Sequence, residues 1–428
     1  MSQRAIVYDL SRLATRVLNR TPNGIDRIDD LLAGHFLDRT PAWPLLFGLN
    51  GPRIGSNGLD TVRRVRASWG ETAGDEAASA RNERIVETIA SALAGAKATA
   101  PFVFRAKTGQ RSGPVLANLA RHGLMRGREP ARSAPRDAIY LNATHFPVEW
   151  RRHIAWLDQR QDVRPVLFVH DVLPVSRPGM FWPGEPERHR RRLQFLAQRG
   201  AGALVTSSVV EMELRRFLAS SGRPDLPIFR ATPPVAENFL RPADLARRPA
   251  SPFFVVCGTI EPRKNHLLLA RVWRRLVRQL GPDAPRLLVV GKRGWSTEPI
   301  VAALHAADIG THVVEASGMP TPVYRSLLGC ALALLTPSFD EGFGLPLAEA
   351  LSAGVPAVAS DILSHREQAG GRAHLLDPAD EDGWFETVAA FADPASDARR
   401  SAVERAAAYE PVSAERYLAD IEVFLDGL

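Results

Sequence analysis

Two carboxylates eight positions apart, Glu341 and Glu349, fall inside the stretch Pro337 to Asp361, which reads PSFDEGFGLPLAEALSAGVPAVASD. Between them Gly342, Phe343, Gly344 and Leu345 form a glycine-rich turn. Pro346 suits the first turn of a helix, where a missing N–H costs nothing. A turn of this kind offers backbone N–H groups and the positive end of a helix dipole to an anion. Its glycines also admit a bulky ligand close to the backbone. Eight residues is about two helical turns plus a part. Glu341 can therefore face the reacting end of a ligand while Glu349 reaches hydroxyls deeper in. The same spacing fits a plain strand–helix–strand crossover with turn-forming glycines and solvated glutamates.

Two further groups carry chemistry. Gly258 to Asn265 reads GTIEPRKN and sets adjacent cations, Arg263 and Lys264, beside a helix start. Paired cations there suit a diphosphate, the alternative being a solvated helix start. His170 and Asp171 end the apolar run PVLFV, where a polar pair at the carboxyl end of a parallel strand is placed for site chemistry. A satisfied structural pair is the other reading. His145 is a weaker candidate of the same kind. Asp380-Glu381-Asp382 reads as charge at a helix N-terminus, and no cluster has metal-ligand spacing.

The elements that must position these residues alternate between apolar runs and amphipathic segments. Ala331 to Leu335 and Pro356 to Ser360 bracket the helix that carries Glu349. Earlier strands are expected at Ala5–Leu10, Pro44–Leu49, Ala138–Asn142, Pro165–Val169, Ala203–Ser207 and Pro227–Arg230. Later ones are expected at Phe253–Cys257, Arg286–Val290, Val313–Val314 and Ala373–Leu376. A loop from Ser11 to Gly24 precedes a helix from about Ile25. Ile85, Ile89 and Leu93 mark another helix, and Ser208 is placed to cap one starting near Val209. About six strands per half imply parallel sheets covered on both faces. The proline-rich stretch Ala231–Pro252 reads as a linker. It divides a domain over residues 1–235 from one over 250–411.

The 428 residues suggest two domains. With 45% hydrophobic and 24% charged residues the composition is that of a globular protein. Cys257 and Cys330 alone give no disulfide framework and point to a reducing compartment. No apolar run is long enough to span a membrane, and the early first strand leaves no room for a signal peptide. The expected location is cytoplasmic, with a peripheral membrane position as a variant. The net charge of +7 is uneven. Arg105, Lys107, Arg111, Arg121, Arg126, Arg128, Arg132 and Arg136 oppose Glu129 alone, a patch suited to an anionic membrane surface or to a solvated loop. Nucleic acid is disfavoured, because aromatic residues do not interleave with the basic ones.

EGFGLPLAEA, followed by GVPAVASD, closely resembles the E-x7-E signature of retaining glycosyltransferases of family 4. GTIEPRKN resembles that family's phosphate-binding element, with Thr259 where many members carry arginine. His170-Asp171 and ALVTS resemble further elements of it. The resemblance covers most of residues 138–385. It implies an α/β protein of GT-B fold, with two doubly wound Rossmann-like domains facing across a cleft and a final helix, 412–428, that packs back on the first domain. It also implies a retaining transferase with Glu341, His170 and Lys264 in catalytic roles. Thr259, Arg263, Lys264, Gly342, Phe343, Gly344, Leu345 and Glu349 would bind the donor. Gly24 and Arg27 would serve in an N-terminal loop. Lys264 and Arg263 would neutralise the diphosphate, Glu349 would hold the ribose and Glu341 a sugar hydroxyl, with no metal or other cofactor. The donor it implies is a nucleotide-diphosphate sugar, with GDP-mannose favoured over a UDP-sugar because GTIEPRKN and the later GKRGW look most like bacterial polysaccharide mannosyltransferases. The acceptor implied by the resemblance is a glycan or lipid-linked glycan. A GT-B-shaped binding protein without transfer activity and a polyanion-binding protein are the rival readings.

Overall fold

Short apolar runs become parallel strands because helices on both faces leave no face for water. The structure, a computed structural model, describes residues 4–16, 21–39, 41–48, 51–56, 58–69, 76–95, 101–104, 127–242 and 249–428. The basic patch therefore falls mostly outside the described residues, which include its Arg128, Arg132 and Arg136. The strands are β1 (Ile6–Asp9), β2 (Trp43–Leu46), β3 (Arg53–Ile54), β4 (Phe102–Val103), β5 (Ile139–Asn142), β6 (Arg164–Val169) and β7 (Gly202–Val205). There follow β8 (Ile228–Arg230), β9 (Phe253–Cys257), β10 (Arg286–Val290), β11 (Val313–Ser317), β12 (Leu334–Thr336), β13 (Ala357–Ser360) and β14 (His374–Leu376). One sheet has the order β3-β2-β1-β5-β6-β7-β8 and the other β14-β13-β12-β9-β10-β11-β4. Among the described residues each has seven strands rather than the expected six. The additions, β3 and β4, are two-residue edge strands with no readable periodicity.

Alternate side chains of each strand enter opposite cores, as the two-residue period requires. On β1, Ile6 and Tyr8 join one core and Val7 the other. On β9, Phe253 and Val255 face one side while Phe254 and Val256 face the other.

The chain forms two units. One comprises Met1–Thr72, Ala106–Pro234 and Val412–Leu428, the other Ala73–Arg105 and Val235–Pro411. The segment 73–105, expected within the first domain, thus lies with the second unit. Two observations account for it. The helix Glu76–Leu93 buries Ile85, Ile89 and Leu93 in the core that contains Val314 and Leu327. Phe102 and Val103 then pair with Ala316 and Ser317, covering the otherwise open edge of β11. The last helix, Ala414–Gly427, lies in the first unit, where Tyr417, Ile421 and Leu425 are buried and Phe424 stacks on Phe229.

Local chemistry shifts some boundaries. The loop expected from Ser11 to Gly24 contains a short helix, Ser11–Thr15. The next helix, Gly24–Leu37, is closed by a capping box in which Asn23 Oδ1 accepts from the Asp26 N–H at 2.9 Å and Asp26 Oδ2 accepts from the Asn23 N–H at 3.2 Å. The cap of Ser208–Ser220 is Ser207 rather than Ser208, with Ser207 Oγ accepting from the Val210 N–H at 3.3 Å.

The helix Gly24–Leu37 also buries Asp29, whose Oδ1 accepts from the Tyr8 hydroxyl at 2.8 Å. Burial raises this carboxyl to about 8 against the opposing effect of the Tyr8 hydrogen bond. The folded chain then keeps a proton that the unfolded chain releases above about pH 4. The stability contribution of Asp29 is complete below that point and is lost progressively as pH rises through the folded value. Asp29→Asn preserves the acceptor and cannot ionise. Its thermal midpoint relative to the parent should rise between about pH 5 and pH 8, and an offset that does not change with pH would contradict the buried, protonated state.

Candidate functional site

The second unit gathers its chemistry where β9 and β12 end. The segment Pro337–Phe343 leaves β12 and leads to Gly344, which caps the helix Leu345–Ser352. Gly344 has φ 89°, a left-handed conformation that disfavours other residues. Pro346 lies in the first turn, as its missing N–H allows. On the neighbouring strand, Gly258 to Asn265 leaves β9 and enters the helix His266–Leu280, with Asn265 at φ 54°. The Asn265 amide secures the bend by donating to the Pro378 carbonyl at 3.0 Å.

Glu341 joins these two segments. Its Oε2 accepts from Arg263 Nη1 at 2.8 Å. Its Oε1 accepts from the Ser338 hydroxyl at 2.7 Å and pairs with the Lys264 ammonium. Arg263 Nη1 also donates to the Asp340 carbonyl at 2.7 Å, and Nη2 donates to Glu261 at 2.8 Å. The Phe339 N–H returns a bond to the Arg263 carbonyl at 2.9 Å. Burial raises the Glu341 carboxyl, but Lys264 and Arg263 outweigh it and hold the group well below the usual carboxylate range. Glu341 is therefore a buried carboxylate ion.

Glu341, Arg263 and Lys264 form one cluster in the structure. Arg263 has its planar fork spread over Glu261, the Asp340 carbonyl and Glu341, and so clamps the two segments. Lys264 is a single point charge at the end of a flexible stem. That stem lies across Gly258, where an added Cβ would come 3.3 Å from Lys264 Cε.

A third segment, Gly291 to Trp295 after β10, backs the β9 loop. A Cβ on Gly291 would fall 1.8 Å from the Gly258 carbonyl oxygen, so only glycine fits there. The Ile260 N–H donates to the Lys292 carbonyl at 2.9 Å and the Gly294 N–H to the Ile260 carbonyl at 2.8 Å. Thr259, half-buried, packs in this backbone contact, and an added Cβ on Gly294 would come 2.8 Å from its methyl. Gly342, Phe343 and Leu345 are half-buried beside Glu341, and Glu349 is buried in the helix that follows. Two residues not singled out from sequence belong to this edge. Arg293 makes a two-pronged bond to Glu315 of β11 at 2.8 and 2.9 Å. His365 lies beneath Gly344.

The remaining candidates are in the first unit. His170 follows β6 and is buried, stacked on Phe168 at 4.6 Å. Its Nε2 donates to the Ala143 carbonyl at 2.6 Å, which leaves Nδ1 as an acceptor. Burial, reinforced by Arg12, lowers it to about 4, so it is neutral at neutral pH. His145 and His189 lie near it, with ring centroids 5.7 Å between His145 and His170 and 5.4 Å between His145 and His189. Burial keeps both neutral as well. Gly24 and Arg27 are half-buried in the first turn of their helix.

Sequence reading missed Asp9. At the end of β1 its carboxylate accepts from the Ser11 N–H at 3.0 Å, Tyr140 at 2.5 Å, Asn142 at 2.9 Å and His153 at 2.8 Å. An acid closing an otherwise apolar strand was the available signal. Asp380 caps the helix Glu381–Ala392 through a bond from the Gly383 N–H at 3.0 Å, in keeping with a helix-start role. Among the described residues no group of three or more His, Cys, Asp or Glu could hold a metal ion. None of the described helices is long and apolar enough to cross a membrane.

Residues 241–407 match the sequence model of the family Glycosyl transferases group 1. The chain is 28% identical over 217 residues to the serotype-specific mannosyltransferase WbdA of Escherichia coli, covering 46% of this chain and 26% of WbdA. It is 30% identical over 227 residues to the O-antigen chain mannosyltransferase RfbU of Salmonella typhimurium, covering 51% of this chain and 58% of RfbU. The matches thus span less than two thirds of these relatives. Among solved structures the chain resembles Anabaena Alr3699/HepE in complex with UDP, with TM-score 0.59 and 14% identity over 99% of this chain and all of that one. It also resembles the sucrose-phosphate synthase of Thermosynechococcus elongatus, with TM-score 0.52 and 17% identity over 74% of this chain and 79% of that one. The chain has the GT-B fold, and the stretch that matches the group 1 model lies within its second unit.

Glu341→Gln would leave two cations facing a neutral amide. Removing one partner from a buried ion cluster costs about 3 kcal/mol, a loss that denaturant unfolding at neutral pH would detect. Because the Glu341 carboxyl is depressed, its contribution is present above the ordinary glutamate value of about 4.3 and is lost as pH falls through the lower folded value. The gap between variant and parent should persist at about pH 5 and narrow on further acidification. A gap that widens in acid would contradict the assignment.

Proposed function

We propose that this protein is a retaining glycosyltransferase that moves mannose from GDP-mannose onto a glycan or lipid-linked glycan acceptor during surface polysaccharide synthesis. The observation that carries this reading is Lys264, a point cation held by a buried carboxylate beside the glycine-capped N-terminus of the helix Leu345–Ser352. A diphosphate entering there meets the N–H groups of the first helical turn and a lysine able to exchange one anion for another. The mannosyltransferase relatives support the choice of sugar.

In this reading Lys264 leaves Glu341 for the diphosphate while Arg263 keeps the two segments clamped. Glu341 then has an oxygen for a hydroxyl of the sugar. As the glycosidic bond lengthens, charge develops on the leaving diphosphate, where fixed positive groups stabilise it most. Glu349, farther along the same helix, takes the ribose hydroxyls. Nδ1 of His170, an acceptor by virtue of the Ala143 bond, is suited to a sugar hydroxyl. Gly24 and Arg27 belong to the acceptor-binding unit, and no metal takes part.

Thermal-shift measurements with GDP, UDP, ADP and their sugar conjugates test the donor site. A protein that binds a nucleotide N-state ligand at a hundredfold excess over Kd gains about 2.7 kcal/mol, so GDP and GDP-mannose should raise the midpoint clearly. Stabilisation by UDP alone would transfer the reading to a UDP-sugar, and none by any nucleotide would overturn it. Lys264→Ala should lower kcat by about a hundredfold, as loss of one transition-state charge partner does, measured as GDP release with acceptor present. Unchanged turnover would remove Lys264 from the chemistry.

A further inference from the structure

His365 lies in the helix Leu363–Ala369, just after β13, and its side chain has no exposure to solvent. Its Nδ1 meets the Ser360 carbonyl at 3.0 Å. A carbonyl only accepts, so Nδ1 carries the proton and Nε2 is a bare acceptor. That Nε2 is buried and has no hydrogen-bond partner among the described residues. Buried polar atoms without partners are few in folded proteins, and each calls for a reason.

The ring edge that carries this atom is pressed against the glycine-rich turn. A Cβ on Gly344 would lie 2.9 Å from His365 Cδ2 and 3.2 Å from Nε2. Gly344 is thus a glycine for two reasons, its φ of 89° and the imidazole occupying the side-chain position. The ring packs against the residue that caps the helix Leu345–Ser352. It also lies within electrostatic range of Glu341 and Lys264. An aliphatic side chain could fill the space, but it could not hold itself to the Ser360 carbonyl. A larger polar one would displace the turn.

We propose that His365 is a positioning residue for the diphosphate end of the donor site, acting through Gly344 to fix the glycine-rich turn at the height a diphosphate requires. The inference rests on the donor-site reading above. It predicts an effect on phosphate recognition that is separable from overall stability and from recognition of the nucleoside.

The test is calorimetric titration of GDP and GMP into the full-length parent, His365→Asn and His365→Gln, together with thermal midpoints of each. Asn keeps a donor for Ser360 but removes the ring edge beneath Gly344. Gln places an amide near the position of Nε2. His365→Asn should weaken GDP binding by about tenfold, equivalent to about 1.4 kcal/mol, while GMP binding changes little, so that the preference for GDP narrows. His365→Gln should recover part of that preference. Equal weakening of GDP and GMP, or a lower midpoint with the preference intact, would reduce His365 to a packing residue and overturn the inference. Parent-like binding by His365→Asn would overturn it as well. A parent that binds neither nucleotide nor their uridine counterparts would instead bring down the donor-site reading itself.

Discussion

A carboxylate removed from water loses several kcal/mol of hydration, and Glu341 is buried. It remains charged because Lys264, Arg263 and Ser338 surround it with donors. The rest of the second unit's ligand edge depends on that cluster. Arg263 ties the segment after β9 to the segment after β12, and the Phe339 N–H closes the connection from the other side. Without the cluster two glycine-rich segments would have only backbone packing to set their separation. With it, the edge holds a lysine poised between one anion and another.

Close backbone approach is the second constraint. Gly258 and Gly291 pass so near each other that a Cβ on Gly291 would overlap a carbonyl oxygen. Gly344 rests on an imidazole. These contacts bring the three segments together at the carboxyl ends of β9, β10 and β12, where a doubly wound sheet leaves room for a ligand. Glycine here serves contact as much as turn geometry.

The first unit buries one acid and three histidines near its strand ends. Asp9 is satisfied by four donors, while His145, His170 and His189 are kept uncharged by burial. Backbone carbonyls fix the tautomers of His170 and His189, whose Nε2 atoms donate to Ala143 and Asp171. His170 offers a defined acceptor because Ala143 holds its proton.

Much of this was legible in the residues. Strand periodicity marked most of β1 to β14, and the string from Glu341 to Glu349 with its glycines and proline marked the site, because both signals are local. The helix bearing Ile85, Ile89 and Leu93 was legible as an element, yet its unit was not. An amphipathic face shows that it must be buried and does not show against what. The two-residue strands β3 and β4 lie below the length at which a pattern exists. The residue types at Arg263, Lys264 and Glu341 declared their charges, but a sequence carries no distances. Only the tertiary structure decided that both cations converge on the one carboxylate, that Arg263 is a clamp, and that a histidine some twenty residues past Gly344 fills the space its missing side chain leaves. Each of these outcomes depends on contacts between segments far apart in the chain, and such contacts exist only once the sheet has aligned the strand ends.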